Sequence, residues 1–206
     1  MTIPLHAVAA NAPPVLPCWI HGRAFISLTP RFADVRDRNG RILRRTPCCG
    51  KDEIMEAQAS AWKALPSWKE KSPQERRAFL AQWGALLETY AAHFARLLYE
   101  ETRKSEAAAT REVAAAVARL KAPPTDCDGG AANAGIIPCA WGKRHPLADA
   151  VRLFTPVLAA GGAIIANPCA AAPGAAFALC ELSARAGAPP GIINLVFAPL
   201  ARDNGA

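Results

Sequence analysis

The chain has 206 residues, of which 51% are hydrophobic, and carries a formal net charge of +7 and seven cysteines. That length and apolar share suit one packed domain, or one domain with an appended layer, and exclude a disordered chain. The cysteines are odd in number and form no Cys-x-x-Cys pair, the histidines are scattered, no apolar run could span a membrane, and no leader-like segment opens the chain. A zinc or other metal site, a membrane span and an exported disulfide framework are therefore not expected. The protein is expected in the cytoplasm with reduced thiols.

In chain order, the first strong signal is Asn39-Gly40, a hairpin turn flanked by Arg36, Arg38, Arg41, Arg44 and Arg45. The arginines are expected to decorate two exposed strands. They have no interleaved aromatics and no accompanying motif, so no nucleic-acid partner is expected. Asp52 to Leu65 is predicted as a helix with Ile54, Ala57, Ala61 and Leu65 on one stripe. Ser72-Pro73-Gln74-Glu75 is a capping box with proline at the first helical position, followed by the core-facing residues Phe79, Trp83, Leu86, Leu87 and Tyr90, then Phe94, Leu97 and Leu98. Another helix begins near Ser105, presents Val113, Val117 and Leu120, and stops at Pro123-Pro124. A bridge rich in Pro, Asp and Gly runs from Lys121 to Ala134.

From Gly135 to Phe197 the pattern becomes strand, helix, strand, helix, strand. Gly135-Ile136-Ile137 is the first apolar run. Pro146-Leu147 opens a helix with Val151, Phe154, Val157 and Leu158 on one face, and Gly161-Gly162 ends it. Ala163-Ile164-Ile165-Ala166 is a second buried strand, Phe177 to Leu182 a second helix, and Gly191 to Val196 a third strand. Continuous apolar strands alternating with helices imply a parallel sheet covered on both faces. The predicted fold is therefore α/β, with N-terminal strands and a helical layer packed on a partial parallel Rossmann-type sheet (βαβαβ). Residues 1–134 form the strand and helix layer with its linker, and 135–206 a partial dinucleotide-binding half-domain.

Several of these segments resemble the aldehyde dehydrogenase superfamily. Pro156 to Ala163 is similar to that family's helix-to-strand corner, and Ala186 to Val196 to its next one. Trp19 to Arg23 resembles its opening strand, Ser72 to Arg76 the start of its first long helix, and Glu100 to Lys104 the end of its helical layer. The resemblance covers the chain from about Leu16 to Ala198. It implies a molecule more than twice this length when complete, whose pyrophosphate loop, general-base glutamate and nucleophilic cysteine lie beyond the part matched here. No catalytic residue is therefore assigned. The family's long oligomer-building hairpin would fall in the Lys121 to Gly130 segment, which is too short and broken for paired strands.

The resemblance places cofactor contacts at Ile137, Asn167, Pro168, Ala170, Pro173 and Gly191. Two of them depart from the pattern. The family's ribose-binding lysine and glutamate are replaced by Asn167 and Ala170, and Arg144 stands where its oxyanion-stabilising asparagine would be. These departures imply an aldehyde dehydrogenase-like protein without its own catalysis, serving assembly or supporting a partner. The alternatives are a fragment of an NAD(P)-dependent aldehyde oxidoreductase completed by another chain, and a weak NAD(P)-binding sensor. Either no cofactor or weakly held NAD or NADP is expected. The unpaired edge of a partial sheet leads to the expectation of a protein partner or self-association.

Overall fold

The computed structural model describes residues 12–123 and 135–198, so most of the bridge between Lys121 and Ala134, including Cys127 and the segment compared with the family's hairpin, lies outside the described residues. The centre is a five-stranded sheet. Three of its strands, β5 (Ile136–Trp141), β6 (Ala163–Pro168) and β7 (Ile193–Leu195), are parallel, with Ile137 opposite Ile164 and Ile164 opposite Ile193. Two parallel crossovers carry the helices α5 (Pro146–Ala159) and α6 (Gly174–Arg185). This is the predicted βαβαβ unit. Strand β6 lies between its neighbours and is buried almost throughout, which is why it reads as an unbroken apolar run.

The flank beyond the third parallel strand is not bare. Strand β1 (Cys18–Ile20) pairs antiparallel with β7 through Trp19 and Leu195, and β2 (Arg23–Phe25) extends the sheet further, giving the order β2-β1-β7-β6-β5. The turn between β1 and β2 is His21-Gly22, both at positive φ, as a tight two-residue hairpin requires. At the other end β5 pairs only with β6 among the described residues. The carbonyls of Gly135 and Trp141 face β6, accepting from Ala163 and Cys169. By alternation, the backbone groups of Ile136, Pro138 and Ala140 face the open edge. Pro138 thus stands where the strand needs no amide donor, a feature of strands that end a sheet.

A separate hairpin joins β3 (Phe32–Arg36) to β4 (Ile42–Pro47). Gly40 has φ +84°, and Asp37 Oδ1 accepts from the amides of Asn39 and Arg41. The turn is as predicted, but its arginines are not all solvated. Arg44 is folded inward, with its Nε 3.1 Å from Glu101 Oε1.

Helix α1 (Lys51–Lys69) lies across the sheet, and α5 and α6 cover the opposite face. Outside them pack α2 (Pro73–Thr89), α3 (Ala91–Glu101) and α4 (Glu106–Lys121). The capping box closes as predicted, with Glu75 N–H donating to Ser72 Oγ and Ser72 N–H to Glu75 Oε2. Ser105 caps α4 through Ala108 N–H. Helix α1 continues past Leu65, although Pro66 follows. The proline lies on the exposed side of the helix, and the extra turn buries Trp68.

The core is continuous through all layers. Trp68, Phe79, Trp83, Phe154 and Trp141 form an aromatic chain from α1 through α2 and α5 to β5, with successive centroids 5.3, 5.7, 6.5 and 5.5 Å apart. Each such pair contributes roughly 0.5–1.5 kcal/mol beyond its buried area. Their buried indoles are satisfied, since Trp68, Trp83 and Trp141 donate to the carbonyls of Leu158, Leu179 and Pro146.

Candidate nucleotide-binding cleft

In an open parallel sheet, ligands sit beyond the carboxyl ends of the strands, where loops lead into helix N-termini. Here that region is built from the loop before α5, residues 142–145, and the loop before α6, residues 169–173. Both helix N-termini are already occupied by protein carboxylates. Glu112 of α4 accepts from Leu147 and Ala148 N–H at 3.0 and 3.1 Å through one oxygen. Its other oxygen lies 3.3 Å from Lys104 Nζ. Glu101, at the end of α3, accepts from Gly174 N–H at 2.7 Å. A Cβ at Gly174 would run into the Glu101 carboxylate, so only glycine admits this approach.

A buried carboxylate at a helix N-terminus balances the helix dipole and satisfies orphan amides. Burial lifts the Glu101 carboxyl to about 7, opposed by the Arg44 charge and the Gly174 N–H.

Beside these caps opens a cleft of about 550 Å³. Its walls carry the bases Arg38, Arg103, Lys104, Lys143 and Arg144 together with the acids Asp34, Asp37 and Glu101. Arg38 stacks on the Tyr99 ring at 4.2 Å and donates to the Lys104 carbonyl. Lys104 Nζ donates to the Arg144 carbonyl at 2.6 Å, tying the end of the helical layer to the loop after β5. Among the described residues, the side chains of Arg103, Lys143 and Arg144 meet no carboxylate.

Of the residues expected to contact a cofactor, Asn167, Pro168, Ala170 and Pro173 come together at the carboxyl end of β6. The Asn167 amide is engaged in both directions by one residue, donating to the Ala198 carbonyl at 3.1 Å and accepting from its N–H at 3.0 Å. Ile137 and Gly191 lie at the opposite end of the sheet. Gly191, at φ +95°, lets the chain pass against Ser60 of α1, where a Cβ would lie 2.7 Å from the Ser60 carbonyl oxygen. Glu101, Glu112, Lys104 and Arg44 carry no sequence signal that marks them as partners. Nothing in their spacing shows that separate helices bring them to the starts of α5 and α6.

Two of the described thiols are closed off by burial. Cys139 and Cys180 are buried, and desolvation raises both, Cys139 to about 11. No helix of the described residues is long and apolar enough to cross a membrane, and no group of three or more potential metal ligands occurs among them.

A βαβαβ unit with a cleft at its strand ends and an outer helical layer defines a nucleotide-binding type of α/β fold. The chain belongs to the aldehyde dehydrogenase family, whose model matches residues 27–129 and 134–204. It is 31% identical to human 2-aminomuconic semialdehyde dehydrogenase over 91% of this chain and 42% of that protein. It is also 31% identical to an NADP(+) succinate-semialdehyde dehydrogenase of Escherichia coli, over 77% of this chain and 36% of the relative. Among solved structures, an E. coli NADP-dependent enzyme superposes with a TM-score of 0.81 at 27% identity, covering 90% of this chain and 42% of that one. The chain thus spans about two fifths of the length of these relatives.

Proposed function

We propose that this chain is an aldehyde dehydrogenase-like scaffold that performs no aldehyde oxidation of its own and supports an assembly. The observation that carries this reading is the Asn167 clasp. At the position where the resemblance calls for a ribose-binding lysine, the side chain is uncharged and both ends of its amide are taken by Ala198. Ala170 offers no acceptor where the glutamate would stand. Losing two charge-assisted contacts weakens a dinucleotide by about 3–6 kcal/mol, which moves a micromolar site to roughly 0.2–25 mM, centred in the millimolar range. Arg144 stands in place of the oxyanion donor and lines the cleft with Lys143.

Calorimetry with NAD and NADP, and turnover assays with succinate semialdehyde, test the reading. We expect no saturable binding up to about 1 mM and no turnover. Turnover abolished by alkylating one thiol would overturn it. The double variant Asn167→Lys with Ala170→Glu serves as the gain-of-binding comparison.

The cleft supports a second reading, a weak NAD(P) sensor, because its basic side chains, Arg103, Lys143 and Arg144 among them, outnumber its acidic ones at the strand ends. Saturable binding by the unmodified chain, lost in Lys143→Ala with Arg144→Ala, would favour it. The coverage of the relatives supports a third reading, a fragment completed by another chain, and copurification with a chain bearing the rest of the fold would favour that.

A further inference from the structure

Cys18 and Cys49 lie with their sulfurs 3.2 Å apart, buried at the junction of β1, the start of α1 and the exit of β7. Neither thiol takes part in the site described above. We propose that Cys18 and Cys49 are a covalent modification site, a dithiol that closes to an intramolecular disulfide when a hydroperoxide reaches it. The sulfurs already lie closer than van der Waals contact, so bond formation has to draw them together by only about 1 Å.

The surroundings assign the roles. Cys49 immediately precedes Gly50, the N-cap of α1, so its sulfur sits at the positive end of that helix. Phe197 N–H donates to the same sulfur at 3.4 Å. The hydrogen bond with Cys18, and after it the Phe197 N–H, hold the Cys49 thiol below its ordinary range, against desolvation and the Glu53 charge that oppose them. Cys18, hydrogen-bonded to Cys49 and desolvated, is pushed well above. Cys49 is the attacking thiolate and Cys18 the resolving thiol.

The chemistry balances in two steps. The Cys49 thiolate attacks one oxygen of the hydroperoxide, breaking the O–O bond, and the departing oxygen takes a proton to leave as water or an alcohol. Cys49 is then a sulfenic acid. The Cys18 sulfur displaces that hydroxyl, the S–S bond forms, and the hydroxyl leaves with the Cys18 proton as a second water. Two thiols have been oxidised and one peroxide reduced. The resulting bond ties β1 to the start of α1 around the intervening hairpins, a loop whose closure restricts the unfolded chain.

The test uses the full folded chain exposed to hydrogen peroxide, with free thiols blocked before digestion without reductant. A linked Cys18–Cys49 peptide lighter by two hydrogens is expected, reversed by dithiothreitol, with Tm raised by roughly 5–15 °C in the oxidised form. Cys48 and Cys169 should be alkylated in the native state while the pair is not. Three outcomes overturn the proposal: the pair stays reduced while other thiols oxidise, Cys49 runs on to a sulfinic acid without cross-linking, or the bond joins either residue to a different cysteine. The oxidised and reduced forms of Cys48→Ser keep the test clear of exchange with the neighbouring thiol.

Discussion

Glu101 is the residue on which charge, burial and helix capping converge. Its carboxyl is raised from 4.5 to about 7 in the folded chain, so between those values the native state holds a proton that the unfolded state releases. A raised folded value gives stability that is fully present below the unfolded pKa and is lost as pH rises through about 7. Glu101→Gln keeps an acceptor for Gly174 N–H but cannot titrate. We expect the stability of wild type relative to this variant to be greater at about pH 5 than at about pH 8 by on the order of 2–3 kcal/mol. Urea melts at both pH values check this, and a difference that stays flat across the range refutes it. The sequence made part of this residue-scale picture legible. The loss of charge at Asn167 and Ala170 could be read by position, because the surrounding motif fixes the register. That Asn167 binds Ala198 could not, since the partner is met only after another strand has been placed. Arg44 had the same problem: a local turn signal put it on an exposed hairpin, and tertiary approach of α3 turned it inward.

Helix α5 shows what the outer layer does for the elements beneath it. Glu112 holds its first amides, and Arg76 of α2, almost fully buried, donates through Nε to the Ala159 carbonyl at its last turn. A carboxylate at the start and a guanidinium at the end oppose the dipole at both poles. Glu112→Ala removes the acceptor for two helix amides and leaves the largely buried Lys104 charge without its carboxylate, and should cost roughly 3–5 kcal/mol. Faster hydrogen exchange at Leu147 and Ala148 should accompany the loss. A cost under about 1 kcal/mol would mean that water replaces the cap at no loss. The other informative element is β5. Pro138→Val would put an amide donor on the open edge, and light scattering should then show association that grows with concentration. A variant as monodisperse as the parent would show that something other than the proline guards that edge. Elements were legible where local chemistry announces them: the Ser72 and Ser105 caps, the Asn39-Gly40 turn and the apolar run of β6. The pairing of β1 with β7 was not, because three residues of strand carry no signal of their distant neighbour.

At the scale of the molecule, strands from the two ends of the chain lie side by side, and one core runs from α1 to β7. The part before the bridge and the part after it should therefore unfold together. Far-ultraviolet dichroism and tryptophan emission should report one coincident urea transition, and two separated transitions would show that the halves are independent. The aromatic chain also gives the protein an optical signature. Of five tryptophans, Trp19, Trp68, Trp83 and Trp141 are at most 7% exposed, whereas Trp62, on the outer side of α1, is 65% exposed. A dissolved quencher such as iodide should find one emitter and miss the rest, so the quenchable fraction reports α1's outer face alone. A partner settling on that helix would darken nothing in the core, yet it would shield Trp62 from the quencher and shift its emission to the blue.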